Sequence, residues 1–349
     1  MAVKDEILSL LEENRDGFVS GQEIADRLNV TRAAIWKAIK ALEKDGYDIE
    51  AVTNRGYRLG RTPDIIDAAY IEAALKEAGL NVRVIYKDET GSTNEDALAA
   101  LRDGIPDGSR QDDEAVLVIA DKQNAGRGRR GRDFYSPKGT GLYMSLALPD
   151  VQRLLKTVKL TAIAATAVAE AIDEQVFNGA ETTLIKWVND IYLDDKKVCG
   201  ILCEAFLPME DEDRGCIVAG IGINVQAPSG DFPQDIKDKA GYLIDDDAVP
   251  ADNTDQGLRS RLAAAVIKRL YHYIDEPDNA LSVYRNRSNL MGCTVRINSF
   301  ASNGEDKEAL VKGIDDEYRL LVEYPDGSRE ALSSGEVSVI RSKSAEKSF

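Results

Sequence analysis

Between residues 5 and 45, apolar residues recur every three or four positions, a spacing that predicts helices rather than strands. Ser20 followed three positions later by Glu23 is a capping-box pattern, so a helix is predicted to begin there and end near residue 28. In the next predicted helix, Ile35, Ile39 and Leu42 lie at i, i+4 and i+7 and would form its buried stripe. The pattern therefore predicts three helices around a small core of their own.

Residues 49–59 alternate between apolar and polar side chains around a turn at Arg55, which predicts a two-stranded wing. Three helices followed by a wing are typical of a winged helix-turn-helix, whose third helix enters the major groove of operator DNA. A protein-binding winged helix with ordinary solvated lysines is the alternative. Because one winged helix contacts few base pairs, operator binding would require a homodimer. The DNA contacts expected are Ser20, Gln22, Thr31, Arg32, Ala33, Trp36, Lys37, Lys40 and Arg55.

Beyond residue 62, helical and strand patterns alternate, and several strand patterns follow one another directly, which indicates a mixed or largely antiparallel sheet. From about residue 291, short strand patterns separated by turn signals predict a small β-barrel. We therefore expect an α+β protein. Its expected parts are a winged helix-turn-helix at 1–62, a mixed-sheet domain at 63–288, a β-barrel at 289–341 and a tail at 342–349.

The charge of the chain changes this picture in one respect. Its 349 residues include 44 basic and 61 acidic side chains, a formal charge of -17 that disfavours phosphate backbones unless the cations are segregated. They are segregated, because residues 1–62 carry a net charge of -1 and the remaining residues carry -16. The large excess of acidic side chains also predicts a halophilic protein. In a cytoplasm with high salt, the carboxylates retain water and the salt screens the repulsion between them.

The composition excludes several classes of catalytic and metal-binding site. The single histidine, His272, lies in a helical pattern, so Ser-His-Asp and Cys-His mechanisms and His-rich metal sites lack material. The four cysteines have no C-x-x-C spacing, and we expect them to be reduced thiols. The N-terminal residues carry acids where a signal peptide is apolar, and no stretch reaches about 18 apolar residues. We therefore expect a cytoplasmic protein with no membrane partner.

Residues 126–132, Gly-Arg-Gly-Arg-Arg-Gly-Arg, are called here the arginine loop. They satisfy the G-x-G-x-x-G pattern of dinucleotide folds, but that pattern must open a helix, and residues 133–139 cannot continue one. Four guanidinium groups among three glycines suit a loop that closes over a polyanion such as a nucleotide phosphate. Nonspecific RNA binding is the alternative.

Three other patterns carry polar groups with a chemical use. Residues 91–94, Gly-Ser-Thr-Asn, precede a predicted helix and suit either a binding nest or simple helix capping. Residues 186–190, Lys-Trp-Val-Asn-Asp, would be joined by a short turn to a strand that aims Lys197 back at the same point. A carboxylate beside a lysine fits a magnesium-nucleotide site. The glycines of residues 220–224 would leave one strand face bare for a flat ligand.

Taken together and in this order, the four patterns resemble those of the biotin–protein ligase family. With a winged helix in front, the chain resembles the bifunctional members that are both ligase and biotin operon repressor, over about residues 5 to 340. The resemblance implies a central domain related to class II synthetase-like folds and a C-terminal barrel of the SH3-like type. It also implies that Mg-ATP and biotin form biotinyl-5'-AMP, from which biotin passes to a lysine of a biotin carboxyl carrier protein.

The site residues follow from the same resemblance. It implies catalytic roles for Arg127, Arg129 and Lys197. The carboxylate of Asp190 beside a lysine further predicts a contact with the Mg2+ of Mg-ATP. The biotin and adenylate contacts that we expect are Ser92, Thr93, Asn94, Gln123, Arg127, Gly128, Arg129, Arg130, Arg132, Lys186, Trp187, Asn189, Asp190, Lys197, Gly200, Gly220 and Asn224.

Two positions depart from the family pattern. Val188 stands where proline is usual, and Phe134 stands where tryptophan is common, which keeps an aromatic lid of smaller area. Two alternatives to the ligase remain open: a transcription factor that only senses biotin or its adenylate, and a lipoate–protein ligase.

Overall fold

The computed structural model divides the chain into two compact units, Met1–Ile65 with Thr254–Gly257, and Ile66–Asn253 with Leu258–Phe349. The predicted boundary between residues 62 and 63 and the predicted tail at 342–349 lie outside the described residues. The structure describes residues 3–14, 17–44, 47, 49–53, 55–59, 64–102, 114–149, 157–206, 215–228, 231–245, 257–298 and 306–340.

The first unit has the three helices and the wing that the sequence predicts. Ser20 caps the second helix by accepting a hydrogen bond from the Glu23 backbone N–H at 3.1 Å. Ile35, Ile39 and Leu42 are at most 2 % exposed and pack in the core of this unit, as their spacing requires. The elements are α1 (Val3–Glu13), α2 (Gly21–Leu28), α3 (Arg32–Lys44), β1 (Ile49–Val52) and β2 (Gly56–Leu59).

The second unit is built on a seven-stranded mixed sheet, which confirms the predicted fold class. Its strands lie in the order β3-β4-β5-β9-β8-β7-β6; β3 and β4 pair in parallel and the other neighbours pair antiparallel. The strands are β3 (Val82–Lys87), β4 (Ala115–Ala120), β5 (Gly141–Leu148), β6 (Leu184–Lys186), β7 (Asp190–Leu193), β8 (Lys196–Phe206) and β9 (Cys216–Asn224).

The helices cover the two faces of this sheet unequally, and this difference places the site. The side chains of one face join the main core with the long apolar helix α6, whereas Val116, Val118 and Ala147 of the other face pack with α5 in a smaller cluster. Because successive side chains of a strand point to opposite faces, the two clusters lie on opposite sides of the sheet. The helices are α4 (Ala68–Glu77), α5 (Thr93–Arg102), α6 (Thr157–Phe177), α7 (Leu258–Asp275) and α8 (Pro277–Asn286).

The C-terminal strands form a five-stranded antiparallel sheet in the order β13-β12-β11-β10-β14. Its closure into an SH3-like barrel stays a prediction. Trp187 joins this sheet to the larger one, because its indole N–H donates to the Tyr318 carbonyl oxygen at 2.8 Å. No helix within the described ranges is long and apolar enough to cross a membrane. The strands are β10 (Thr294–Asn298), β11 (Lys307–Ile314), β12 (Leu320–Glu323), β13 (Arg329–Leu332) and β14 (Glu336–Val339).

Candidate active site

A cavity of about 700 Å³ lies on the α5 side of the large sheet and reaches the C-terminal strands. Ser145 of β5 and Gly220 of β9 are cross-strand partners, as are Gly200 of β8 and Gly222 of β9, so each pair shares a sheet face. The cavity is lined by all seventeen residues that the sequence proposes as biotin or adenylate contacts, from Ser92 to Asn224. The four separate sequence patterns therefore meet at one place.

A buried hydrogen-bond network holds the start of α5 against this wall. The Gln123 Oε1 atom accepts from both the backbone N–H of Thr93, at 2.9 Å, and its hydroxyl, at 3.0 Å. Ser145 Oγ lies 2.7 Å from Thr93 Oγ1 and 2.6 Å from Asn94 Oδ1. Asn94 Nδ2 in turn donates to Glu204 Oε2 at 2.8 Å. These polar side chains hold one another, so they are already oriented at the cavity wall.

Gly220 is required by this network. A Cβ atom at this position would overlap the side-chain oxygen of Asn94, so the glycine makes room for Asn94 to approach the sheet. Gly222 has a similar role toward Phe134, because a Cβ atom there would lie 2.5 Å from Phe134 Cε1. The prediction that these glycines leave a bare strand face is therefore wrong: the space that their missing side chains leave is filled by Asn94 and by the phenyl ring.

The arginine loop contains only a three-residue 3-10 turn, Arg129–Gly131, and the next element is strand β5 and not an α-helix, so the structure agrees with rejecting a dinucleotide fold. The loop folds back on itself, because the Gly128 N–H donates to the Arg132 carbonyl at 2.7 Å. Phe134 N–H donates likewise to the Gly126 carbonyl at 2.8 Å. A Cβ atom on Gly126 would lie 2.6 Å from the Phe134 carbonyl oxygen, which explains why glycine stands there.

The four arginines of the loop make different contacts. Arg127 pairs with Glu95 at the start of α5, and both side chains are about half exposed. Arg129 is more enclosed and donates to Asn189 Oδ1 at 3.0 Å, and burial is the main cause that lowers its pKa from the usual arginine value. Arg130 and Arg132 lie 3.4 and 2.7 Å from one carboxylate oxygen of Glu336, in the C-terminal sheet.

Opposite the arginine loop, Lys197 reaches Asp190 across the turn between β7 and β8, as the sequence predicts. Lys197 Nζ lies 2.7 Å from Asp190 Oδ1, close enough for an ion pair. The same oxygen is buried and receives no well-directed hydrogen bond, so the pair is held by charge and not by hydrogen-bond geometry. Lys186 lies nearby, and burial lowers its pKa. This end of the cavity therefore concentrates cations around one carboxylate.

In the first unit, the residues proposed for DNA binding lie on the surface of α2, α3 and the wing. Trp36 is 59 % exposed, an unusual exposure for an indole, and Ala33, Lys37 and Lys40 are exposed on the same helix. Arg32 is held in place by a hydrogen bond to the Gln22 amide oxygen at 2.9 Å. Exposed cations beside an exposed aromatic ring suit contact with a nucleic acid.

Thr31 and Ser20 serve as helix caps, since the Thr31 hydroxyl accepts from the Ala34 N–H at 3.3 Å and Ser20 caps α2. In the wing, the Arg55 guanidinium lies 4.8 Å from the centre of the Phe18 ring. The two caps fix the starts of α2 and α3, and the contact with Phe18 holds the Arg55 side chain of the wing.

Three family models match the chain in succession. They are described as an HTH domain at residues 4–58, the biotin/lipoate A/B protein ligase family at 101–224, and the biotin protein ligase C-terminal domain at 292–339. A bifunctional ligase/repressor BirA from Bacillus subtilis is 34 % identical over 333 residues, 95 % of this chain and 97 % of that protein. The Escherichia coli protein of the same name is 29 % identical over 337 residues, 95 % of this chain and 94 % of that protein.

The chain belongs to the bifunctional ligase/repressor family. Among solved structures, the biotin protein ligase from Aquifex aeolicus in complex with biotin and ATP is similar, with a TM-score of 0.56 and 25 % identity. That similarity covers 74 % of this chain and 99 % of the Aquifex chain.

Several residues that line the cavity or hold its wall were not predicted from the sequence of this family member. Ser145 lies in an apolar strand, where one serine gives no signal of its own. Glu336 comes from the C-terminal sheet, 204 residues after the arginine with which it pairs. The other lining residues that were not predicted are Asp133, Tyr135, Tyr192, Cys199, Ile201, Leu202, Ile221, Phe232, Asp235, Ile236, Lys239, Ala240, Arg296, Asn298, Asp306, Gly335, Val337 and Ser338.

The donors for a metal ion are few. No three His, Cys, Asp or Glu side chains among the described residues lie close enough together to hold a metal ion. Asp190, with its buried oxygen short of a hydrogen bond, fits one contact to a magnesium ion that nucleotide phosphates otherwise coordinate.

Proposed function

We propose that the second unit forms biotinyl-5'-AMP from biotin and Mg-ATP and transfers biotin to a lysine of a biotin carboxyl carrier protein. The proposal rests on one observation: a single cavity is lined both by neutral hydrogen-bonding groups and by cationic side chains. The hydroxyl and amide network of Ser92, Thr93, Asn94 and Gln123 lines the same space as the cations of the arginine loop and Lys197. Hydroxyls and amides suit a ureido ring, and cations suit phosphoryl groups.

In the first step, a biotin carboxylate oxygen attacks the α-phosphorus of ATP and pyrophosphate leaves. Lys197 and Arg129 neutralise the negative charges that must approach one another. Asp190 and Asn189 hold these two cations and give up part of their contact as the phosphate arrives. Asp190 would contact the Mg2+ of Mg-ATP.

In the second step, the uncharged amine of the carrier lysine attacks the activated carbonyl, AMP leaves, and the amine loses a proton as the amide forms. The mixed anhydride must survive until the carrier arrives. Arg127, the glycines of the loop and Phe134 would close over it and exclude water, which would otherwise hydrolyse it.

The first half-reaction can be tested alone. The protein is incubated with biotin and ATP labelled at the α-phosphate, and the adenylate that stays bound after gel filtration is counted. We expect retained label in the wild type and its loss in Arg127→Ala, with Arg83→Ala, a change on strand β3, as the matched control. Equal retention in Arg127→Ala and wild type would contradict the role of the loop in closure.

The alternative of a lipoate ligase is less well supported. The central family model is named for both biotin and lipoate enzymes, whereas the C-terminal model is named for biotin protein ligases and matches residues 292–339. A sensor of biotin without catalysis is also disfavoured, because binding biotin alone does not require two cations, Lys197 beside Asp190 and Arg129 beside Asn189, in the same cavity. Label transfer to a carrier separates a ligase from a sensor.

We further propose that the first unit, at about residues 1–62, represses biotin genes by binding operator DNA as a homodimer. The exposed face of α3 and Arg55 of the wing support this role. Both proposed macromolecular partners, operator DNA and the carrier, are cytoplasmic, and we place the chain in the same compartment. The excess of acidic side chains supports a salt-rich cytoplasm. The remaining proposed domains are the ligase at 63–288 and a barrel at 289–341.

A further inference from the structure

Arg259, in the first turn of α7, is a charged side chain that is only 5 % exposed. Its Nη1 atom donates to Asp121 Oδ1 at 2.6 Å and to the Gly141 carbonyl oxygen at 3.1 Å. Asp121 directly follows β4, and Gly141 is the first residue of β5. One buried guanidinium from a helix therefore ties both ends of the connection that carries the arginine loop.

The pairing between these two strands does not extend to this point. The ladder between β4 and β5 ends at the pair Ala120 and Tyr143, so Arg259 supplies a cross-link beyond the last pair of the ladder. Further along the connection, the Gln123 N–H donates to the Ser136 carbonyl at 3.2 Å. The connection is thus a folded stem whose base is fixed from outside by α7.

We propose that Arg259 is a positioning residue for the ligase: it holds the stem so that Arg129 and Phe134 stay over the cavity. It does not line the cavity, and it acts on the stem through Asp121 and Gly141. The stem follows from the contacts alone, whereas the effect on catalysis rests on the proposed ligase function.

A second buried pair provides a matched control. Arg287 ends α8 and pairs with Asp173 of α6, and both side chains are as enclosed as those of Arg259 and Asp121. Arg287 also donates to the Thr183 carbonyl at 3.2 Å. Arg287→Met therefore removes an equally buried guanidinium that has no contact with the stem.

The first experiment follows trypsin cleavage within the arginine loop of the full-length protein, since trypsin cuts after arginine. We expect Arg259→Met to be cleaved there about tenfold faster than wild type, because the loop opens more often when its stem loses a buried cross-link. Arg287→Met should be cleaved there at nearly the wild-type rate. Equal cleavage of the two variants would overturn the proposal, and this test needs no ligase activity.

The second experiment measures how long the adenylate is held, as AMP released from ATP and biotin without a carrier. Arg259→Met should release AMP about tenfold faster and raise KM for biotin more than it lowers kcat, whereas Arg287→Met should do neither. Wild-type AMP release in a folded Arg259→Met would refute the positioning role. A wild-type protein that makes no adenylate would refute the proposed ligase function, and the trypsin result would still stand.

If circular dichroism shows Arg259→Met to be unfolded, Arg259→Lys decides the question. Lysine keeps the charge opposite Asp121, but its side chain is one bond shorter than the path to the Nη1 atom that reaches both acceptors, so cleavage and AMP release should fall between wild type and Asp121→Asn. Wild-type values in both Arg259→Lys and Asp121→Asn would overturn the proposal.

Discussion

Replacing Ser145 by alanine tests whether the polar wall of the cavity is held by a strand that the sequence does not single out. Ser145 is fully buried, and its hydroxyl lies within hydrogen-bond distance of Thr93 and Asn94. The single hydroxyl hydrogen of Ser145 can be donated to only one of these two oxygens at a time, and one buried hydrogen bond contributes about 1 kcal/mol, so the substitution should cost about 1 kcal/mol of unfolding free energy. For a unit of this size, that lowers the melting temperature by roughly 2–4 °C.

The same change should weaken biotin binding, because Thr93 and Asn94 lose the group that orients them. The loss of one oriented hydrogen bond to the ligand raises Kd about fivefold, as isothermal titration calorimetry would measure. Ser282→Ala, the same truncation at an exposed position of α8, should alter neither quantity. A Ser145→Ala protein with wild-type melting temperature and biotin affinity would refute the reasoning about the wall.

Three other outcomes are expected. Lys37→Ala combined with Lys40→Ala should reduce the slope of operator affinity against salt by about 2, and an unchanged slope would point to a protein-binding module. The hydrogen bond from Arg132 is the main cause that lowers the pKa of Glu336 from its usual value. The contact therefore stabilises the folded protein at pH values above the usual pKa of glutamate, and this stabilisation is lost as the pH falls through the lowered pKa. Melting curves of wild type and Glu336→Gln should therefore differ at neutral pH and converge in acid; curves that stay parallel would contradict the pairing. The melting temperature should rise steeply with added KCl, and indifference to salt would count against adaptation to high salt.

Local patterns of the chain were sufficient to predict the helices and wing of the first unit and the mixed sheet of the second. Ile35, Ile39 and Leu42 lie on one side of a helix by spacing alone, and the structure buries them in one core. The strand pair that directs Lys197 toward Asp190 was also predictable, because the turn between them is short and leaves little choice of register. The resemblance to a family supplied the roles of these residues.

What could not be predicted are the contacts between residues that are distant in sequence. Glu336 meets Arg132 from a separate sheet, and Arg259 meets Asp121 from a helix 138 residues later. Neither Glu336 nor Asp121 lies in one of the sequence motifs. An arginine in an amphipathic helix is normally predicted to be exposed, so the sequence gives no sign that Arg259 is buried. The glycines of β9 were misjudged for the same reason, because their neighbours Asn94 and Phe134 come from other segments.

Transfer of radiolabelled biotin to a carrier domain is the most direct test of the account. The full-length protein is incubated with ATP, labelled biotin and a biotin carboxyl carrier domain, beside a carrier in which the acceptor lysine is replaced by arginine. We predict label on the lysine carrier and none on the arginine carrier, with one AMP formed for each biotin attached. A folded protein that binds biotin and ATP but leaves the lysine carrier unlabelled would contradict the central claim.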